Sequence, residues 1–229
     1  MSIRLFLLND RAQKNVFGRP GKLHRKVRAI ITQQICPNIG SSISEGLLEE
    51  DYPWCFVISG AALSQRHYCA GAFSLMTGEH GEKLLIVIYS MVSYSWLQKN
   101  LRSEYPLTFW AARVLNIKRK YDVVGGNQGI LWQWFKALRW AYSPWRQFVL
   151  KPLWRFEHKS QMLLREGSQQ DYRIRNSDGV EVMPWKNWPG CIQQEPEIWV
   201  WRQSRHRRIL DSQRILLRRA EANPPDASC

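Results

Sequence analysis

At 229 residues, with 45% apolar and 23% charged side chains, the chain is long enough to bury one sizeable core, which excludes wholesale disorder. Thirty-three Lys and Arg against 19 Asp and Glu give a formal charge of +14, which bears on partners and solubility rather than on fold. A chain this basic calls for a polyanion, RNA, DNA or an anionic membrane surface, with an acidic protein as the plain alternative.

The five cysteines, Cys36, Cys55, Cys69, Cys191 and Cys229, are odd in number and irregular in spacing. The apolar run at 5–8 is too short for the core of a signal peptide, and the one at 84–92 is about half a membrane span. Reduced thiols in a cytoplasmic or nuclear protein are expected.

Along the chain, residues 1–20 read as an extended lead-in ending at Arg19, Pro20 and Gly21. A basic helix over 22–34 follows, with Leu23, Val27, Ile30 and Ile31 at helical spacing. Residues 37–51 hold Pro, Gly, Ser and acidic residues and predict a loop. The block 51–100 carries three basic and three acidic side chains, nearly neutral within a basic chain, and holds the clearest strands, near 54–63, 68–76 and 83–92. The third strand is almost wholly apolar, so something must cover each of its faces. Residues 94–115 predict one or two helices broken near Pro106.

A short strand over 121–124 runs into Gly125, Gly126, Asn127, Gln128 and Gly129, and a helix over 130–142 follows. Pro144 and Pro152 interrupt the pattern, which resumes over 153–165. Asp178 and Gly179 signal a hairpin over 172–182. Pro184, Pro189, Gly190 and Pro196 mark 184–197 as a surface linker. A short strand at 198–201 and a basic amphipathic helix over 202–222 complete the chain, with Ile209, Leu210, Leu216 and Leu217 on one side of the helix. The expected fold is α+β, with a mostly antiparallel sheet flanked by helices and a Trp/Arg-rich helical and hairpin second half. Residues 1–183 form the core domain, and 184–229 dock on it.

Four features can carry function. Of the 12 tryptophans, most lie beyond residue 131 among Lys and Arg. Aromatic faces between cations suit single-stranded nucleic acid, because bases stack on the rings while cations hold phosphates. Trp185, Trp188, Trp199 and Trp201 lie in turn-rich or edge segments and are expected to offer such faces. Trp132 and Trp140 are assigned to the core with Phe135 and Leu138. Two basic runs supply phosphate contacts: Lys22, Arg25, Lys26 and Arg28 in one, Arg202, Arg205, Arg207 and Arg208 in the other.

The segment Gly125, Gly126, Asn127, Gln128 and Gly129 before a helix can cradle the phosphate of a nucleotide or of coenzyme A on backbone N–H groups. It lacks the Lys-Ser/Thr of a P-loop, and a tight turn explains the glycines as well. Cys55, His67, Cys69 and His80 are potential zinc ligands, but their spacing matches no structural zinc pattern, and no metal is assigned. No Ser-His-Asp elbow, HExxH or paired-cysteine motif names a catalytic residue. The expected function is a nucleic-acid-binding accessory or regulatory protein. A transferase holding an anionic cofactor at Gly125–Gly129, and an adaptor for an acidic protein or membrane surface, are the alternatives.

Overall fold

The apolar run in the neutral block becomes the strand β4, Lys83–Val92, an interior strand of a six-stranded antiparallel sheet. A computed structural model describes residues 3–9, 21–40, 52–77, 83–104, 106–120, 128–142, 179–204 and 207–217. The other strands are β1 Ile3–Asn9, β2 Trp54–Ile58, β3 Tyr68–Thr77, β5 Glu197–Gln203 and β6 Ile209–Leu216. Their order across the sheet is β1-β4-β3-β2-β5-β6.

Alternation along each strand sorts the side chains into two cores. Ile86, Ile88, Val57, Ala70, Ala72, Trp199 and Trp201 share one face; Val87, Tyr89, Phe56, Cys69, Phe73 and Val200 share the other. The continuous apolar character of β4 follows, since both its faces are buried. Gly71 in β3 is required by close approach: a Cβ there would stand 2.1 Å from the Ile88 carbonyl oxygen and 2.7 Å from Tyr89 Cα.

The first face is covered by α4 Tyr94–Leu101, α5 Leu107–Lys120 and α6 Gln128–Ala141. Ser93 caps α4 by accepting from the Trp96 N–H. Asn100 Oδ1 accepts from the Leu107 N–H, tying the end of α4 to the start of α5 across Pro106.

The second face is covered by α1 Lys22–Ile30, a π-helical turn over Ile31–Ile35, and α2 Cys36–Gly40. Val27, Ile31, Ile35 and Ile39 are all fully buried, each four residues after the last. In an unbroken α-helix every four-residue step advances the stripe by about 40°, so three steps would carry it off the sheet. The wider π turn, with the Cys36 N–H bonded to the Ile31 carbonyl, turns it back. Pro37 explains its position. It has no N–H for the Gln33 carbonyl, and its ring would strike that carbonyl in a regular helix.

Several expectations need correction. The lead-in contains a paired edge strand: Phe6 of β1 lies opposite Val87 of β4. The first predicted strand stops at Ile58, and Gly60–Leu63 forms the short helix α3, capped by Ser59. The segment 184–197 is no surface linker. Ile192 is fully buried, Trp185 and Trp188 pack on the first core, and Gln98 Nε2 donates to the Pro189 carbonyl at 2.6 Å.

The C-terminal basic helix is replaced by β6. Ile209, Leu210, Leu216 and Leu217 fit a helical stripe, but β5 is apolar on both faces and pairs with β6 along its free side, so tertiary pairing overrides the local pattern. A register shift between Arg202 and Gln203 sets Ile209 opposite Gln203, and Ile209 joins the first core. Val180 bridges to Ile209 through two backbone bonds, so the end of the predicted hairpin pairs with β6. Residues 121–127, 143–178 and 218–229 lie outside the described residues, and with them the strand at 121–124, the helix at 153–165 and the outer arm of that hairpin.

Candidate nucleic-acid interface

The tryptophans separate by environment. Trp199 and Trp201 are fully buried on the first face of the sheet, so in this fold they fill the core and offer no face to a base. Trp185 and Trp188 are partly buried, 5.1 Å apart, and Trp188 meets Trp201 edge-on at 5.3 Å. Trp140, assigned to the core together with Trp132, is 49% exposed. Phe135 and Leu138 of the same helix are buried, and Trp132 lies partly buried against that core, as expected of it.

The outer face of α6 therefore carries Gln133, Lys136, Arg139 and Trp140, all exposed. Gln133, Lys136 and Trp140 are spaced three and four apart, one stripe of the helix. Lys136 Nζ lies 5.5 Å from the Trp132 ring centroid, a cation held over an aromatic face. No Asp or Glu occurs between Leu107 and Lys120 or between Gln128 and Ala141, so α5 and α6 carry no acid of their own.

The basic run on α1 is also presented to solvent. Lys22, Arg25 and Lys26 are exposed and Arg28 is partly so, while Lys26 Nζ donates to the Leu63 carbonyl at 3.0 Å. The α1 cations lie over the second face of the sheet and those of α6 over the first.

The second basic run behaves differently. Arg202 is buried, pairs with Asp211 at 3.4 Å and stacks over Trp54 at 4.8 Å. Arg208 pairs with Glu181 at 3.1 Å and donates to the Gly179 carbonyl at 2.7 Å. Arg214 pairs with the buried Glu197. Arg207 donates to the Glu104 carbonyl at 3.0 Å. Arg205 lies outside the described residues. Among the described residues, every carboxylate–arginine pair sits in or beside the β5–β6 hairpin, whereas the structure pairs none of Lys22, Arg25, Arg28, Lys136 and Arg139 with a carboxylate.

Of the glycine-rich segment, Gln128 and Gly129 open α6, and Gly125, Gly126 and Asn127 lie outside the described residues. The zinc candidates do not converge: Cys55 and Cys69 belong to opposite faces of the sheet, and His80 lies outside the described residues. Burial pushes the Cys55 thiol up to about 12 and raises Cys69 as well, which keeps both protonated and suits apolar packing. His24 sits between Phe6 and Tyr89, 5.6 Å from each ring, and burial followed by the nearby Arg4 holds it below its usual value.

The Trp140 site was legible in principle. Five residues past Phe135, it stands about 140° from the buried stripe by helical geometry; grouping it by residue type hid this. No helix among the described residues is long and apolar enough to cross a membrane. Comparison with family models, with curated proteins and with solved structures finds no match to this chain.

Proposed function

We propose that this chain binds single-stranded nucleic acid, with the outer face of α6 as its principal contact. The observation that carries the reading is an exposed indole, Trp140, on a helix that also exposes Lys136 and Arg139 and has no acid to neutralise them. Stacking on an indole is tolerant of base identity, and the flanking cations hold phosphate, so recognition depends on strand state more than on sequence. The α1 cations offer a second phosphate-binding face across the sheet, available to a longer polymer. The net charge of +14 supports the same partner class.

The test is binding of single-stranded RNA, single-stranded DNA and duplex DNA at low and moderate salt, with the wild type and Trp140→Ala. The expected result is a steep loss of affinity with salt, and a roughly five- to hundredfold loss in Trp140→Ala that is confined to single strands, the range that loss of one stacked base gives. No binding to any polymer at low salt overturns the reading. So does a Trp140→Ala effect equal on single strands and duplex.

A further inference from the structure

Among the described residues two aromatic rings stand well exposed, Trp140 on α6 and Tyr94, 44% exposed, on α4. Both helices cover the first face of the sheet, and they meet at a seam where the rings of Trp96 and Tyr142 lie 6.2 Å apart. Tyr94 rests on the fully buried Tyr68, with ring centroids 5.7 Å apart, so the core holds it in place while nearly half of it meets water. A ring held in this way loses little freedom when a flat partner stacks on it.

The two helices repeat one arrangement. Arg139, Lys136 and Trp140 stand about 60°, 120° and 160° round α6 from the seam residue Tyr142. On α4, Lys99, Arg102 and Tyr94 stand about 60°, 120° and 200° round from the seam residue Trp96. Helical backbone reaches both ends of these series: Arg102 keeps right-handed helical dihedrals, and the Tyr142 N–H bonds to the Leu138 carbonyl. Each helix therefore sets two exposed cations between its seam ring and its exposed ring. No Asp or Glu occurs from residue 94 to residue 102. Among the described residues no carboxylate pairs with Lys99 or Arg102.

We infer that one single strand of nucleic acid crosses from α6 to α4, with its backbone over Arg139, Lys136, Lys99 and Arg102 and one base stacked on each of Trp140 and Tyr94. The inference rests on the proposed function and extends its site to a second helix and a second stacked base. Four cations alone would serve an acidic protein as well. An exposed ring beyond each pair of cations favours nucleic acid, because every base offers a stacking face and every linkage a phosphate. The span agrees. Tyr94 and Trp140 each lie two residues from the seam, so their Cα atoms stand no more than roughly 25 Å apart. A strand of about 4–8 nucleotides, at the lower end of single-strand site sizes, covers that distance.

The experiment titrates a labelled oligothymidylate of about 10 nucleotides, within the range of single-strand sites, against the full chain by fluorescence anisotropy. Wild type is compared with Tyr94→Ala, with Tyr94→Phe, and with Lys99→Gln and Arg102→Gln combined. One strand is expected to bind per chain. Tyr94→Ala should bind about fivefold or more weakly, the loss of one stacked base, and Tyr94→Phe, which keeps the ring, within about twofold of wild type. The double cation variant should lose about 1.4 of the slope of log affinity against log salt. Poly-glutamate, a polyanion without bases, should compete weakly and equally with wild type and Tyr94→Ala.

Wild-type affinity in Tyr94→Ala overturns the second platform, and leaves the α6 reading standing if Trp140→Ala still loses affinity. Two strands bound per chain overturn the crossing path, because the helices then act separately. Poly-glutamate that competes as well as the oligonucleotide overturns the choice of occupant. Absence of binding to the wild type removes the proposed function and this extension together. If Tyr94→Ala fails to fold, the exposed Lys99 and Arg102 decide the matter: an unchanged salt slope in that variant overturns the path across α4.

Discussion

Replacing Lys136 and Arg139 together by Gln removes two exposed cations from α6 without touching the buried stripe of Phe135 and Leu138. Each phosphate neutralised on a single strand contributes about 0.7 to the slope of log affinity against log salt, so the double variant should lose about 1.4 of that slope. Between roughly 50 and 200 mM salt, a fourfold change, the wild type should therefore lose about sevenfold more affinity than the variant does. Fluorescence anisotropy of a labelled single-stranded oligonucleotide across that range measures both slopes. The internal comparison is Arg202→Gln with Arg214→Gln, which removes the same charge from side chains already engaged by Asp211 and Glu197. That pair should lower stability and leave the slope nearly unchanged. Removing Lys22, Arg25 and Arg28 should lower the slope only for polymers long enough to pass round the sheet, because α1 covers the opposite face. A slope that survives the α6 substitutions and falls with Arg202 and Arg214 would refute the assignment of free and engaged cations.

Arg214→Gln leaves the buried Glu197 carboxylate without its partner. The expected cost is about 2–3 kcal/mol, below the full penalty for a buried pair because Arg214 is itself 44% exposed; urea unfolding measures it, and adding Glu197→Gln should recover most of it. Gly71→Ala drives a methyl into the β4 backbone and should cost about 3 kcal/mol or more, or prevent folding; a variant with an unshifted urea midpoint contradicts the strand contact. Burial holds His24 below the ordinary histidine value of about 6.5 in the folded chain, so the unfolded chain takes up the proton first. Its contribution is complete above that value and is lost as pH falls below it; the wild type should thus lose stability relative to His24→Phe on acidification, and a constant difference from pH 8 to 5 contradicts this. Alkylation of the native protein at pH 8, followed by peptide mapping, should mark Cys36 well before Cys55 and Cys69, whose buried thiols are held protonated.

The sheet was largely legible in the sequence because its signals are local. The β4 run follows directly on the glycines of the turn predicted before it, and its short length and its Ile, Val and Tyr content favour a strand over a helix. The C-terminal strand was not legible for the opposite reason. What makes Ile209–Leu216 a strand is β5, whose own partner β2 lies far away in sequence. The same distance hid the fate of the second basic run. Arg202, Arg208 and Arg214 look alike in a list of cations, but Asp211, Glu181 and Glu197 claim them only once the hairpin forms. The α1 cations could be read correctly as outward-facing because a single helix decides their direction. Trp199 and Trp201 were misplaced because prolines nearby suggested an exposed edge, whereas β5 runs between β2 and β6.

The strand order has a consequence for the chain while it is being made. β2 hydrogen-bonds β3 on one side, but its other side waits for β5, and the Ser59–Glu197 contact at that seam joins residues 138 positions apart. At about 5–20 residues per second, a ribosome takes roughly 7–28 s to deliver that partner. Through that interval β2 presents an unpaired, apolar edge to any other nascent strand. Expression conditions that slow elongation, or truncations before residue 197, should therefore favour aggregation over a smaller folded product. The final hairpin then acts as the closing piece of the sheet rather than as an appendage to a finished domain.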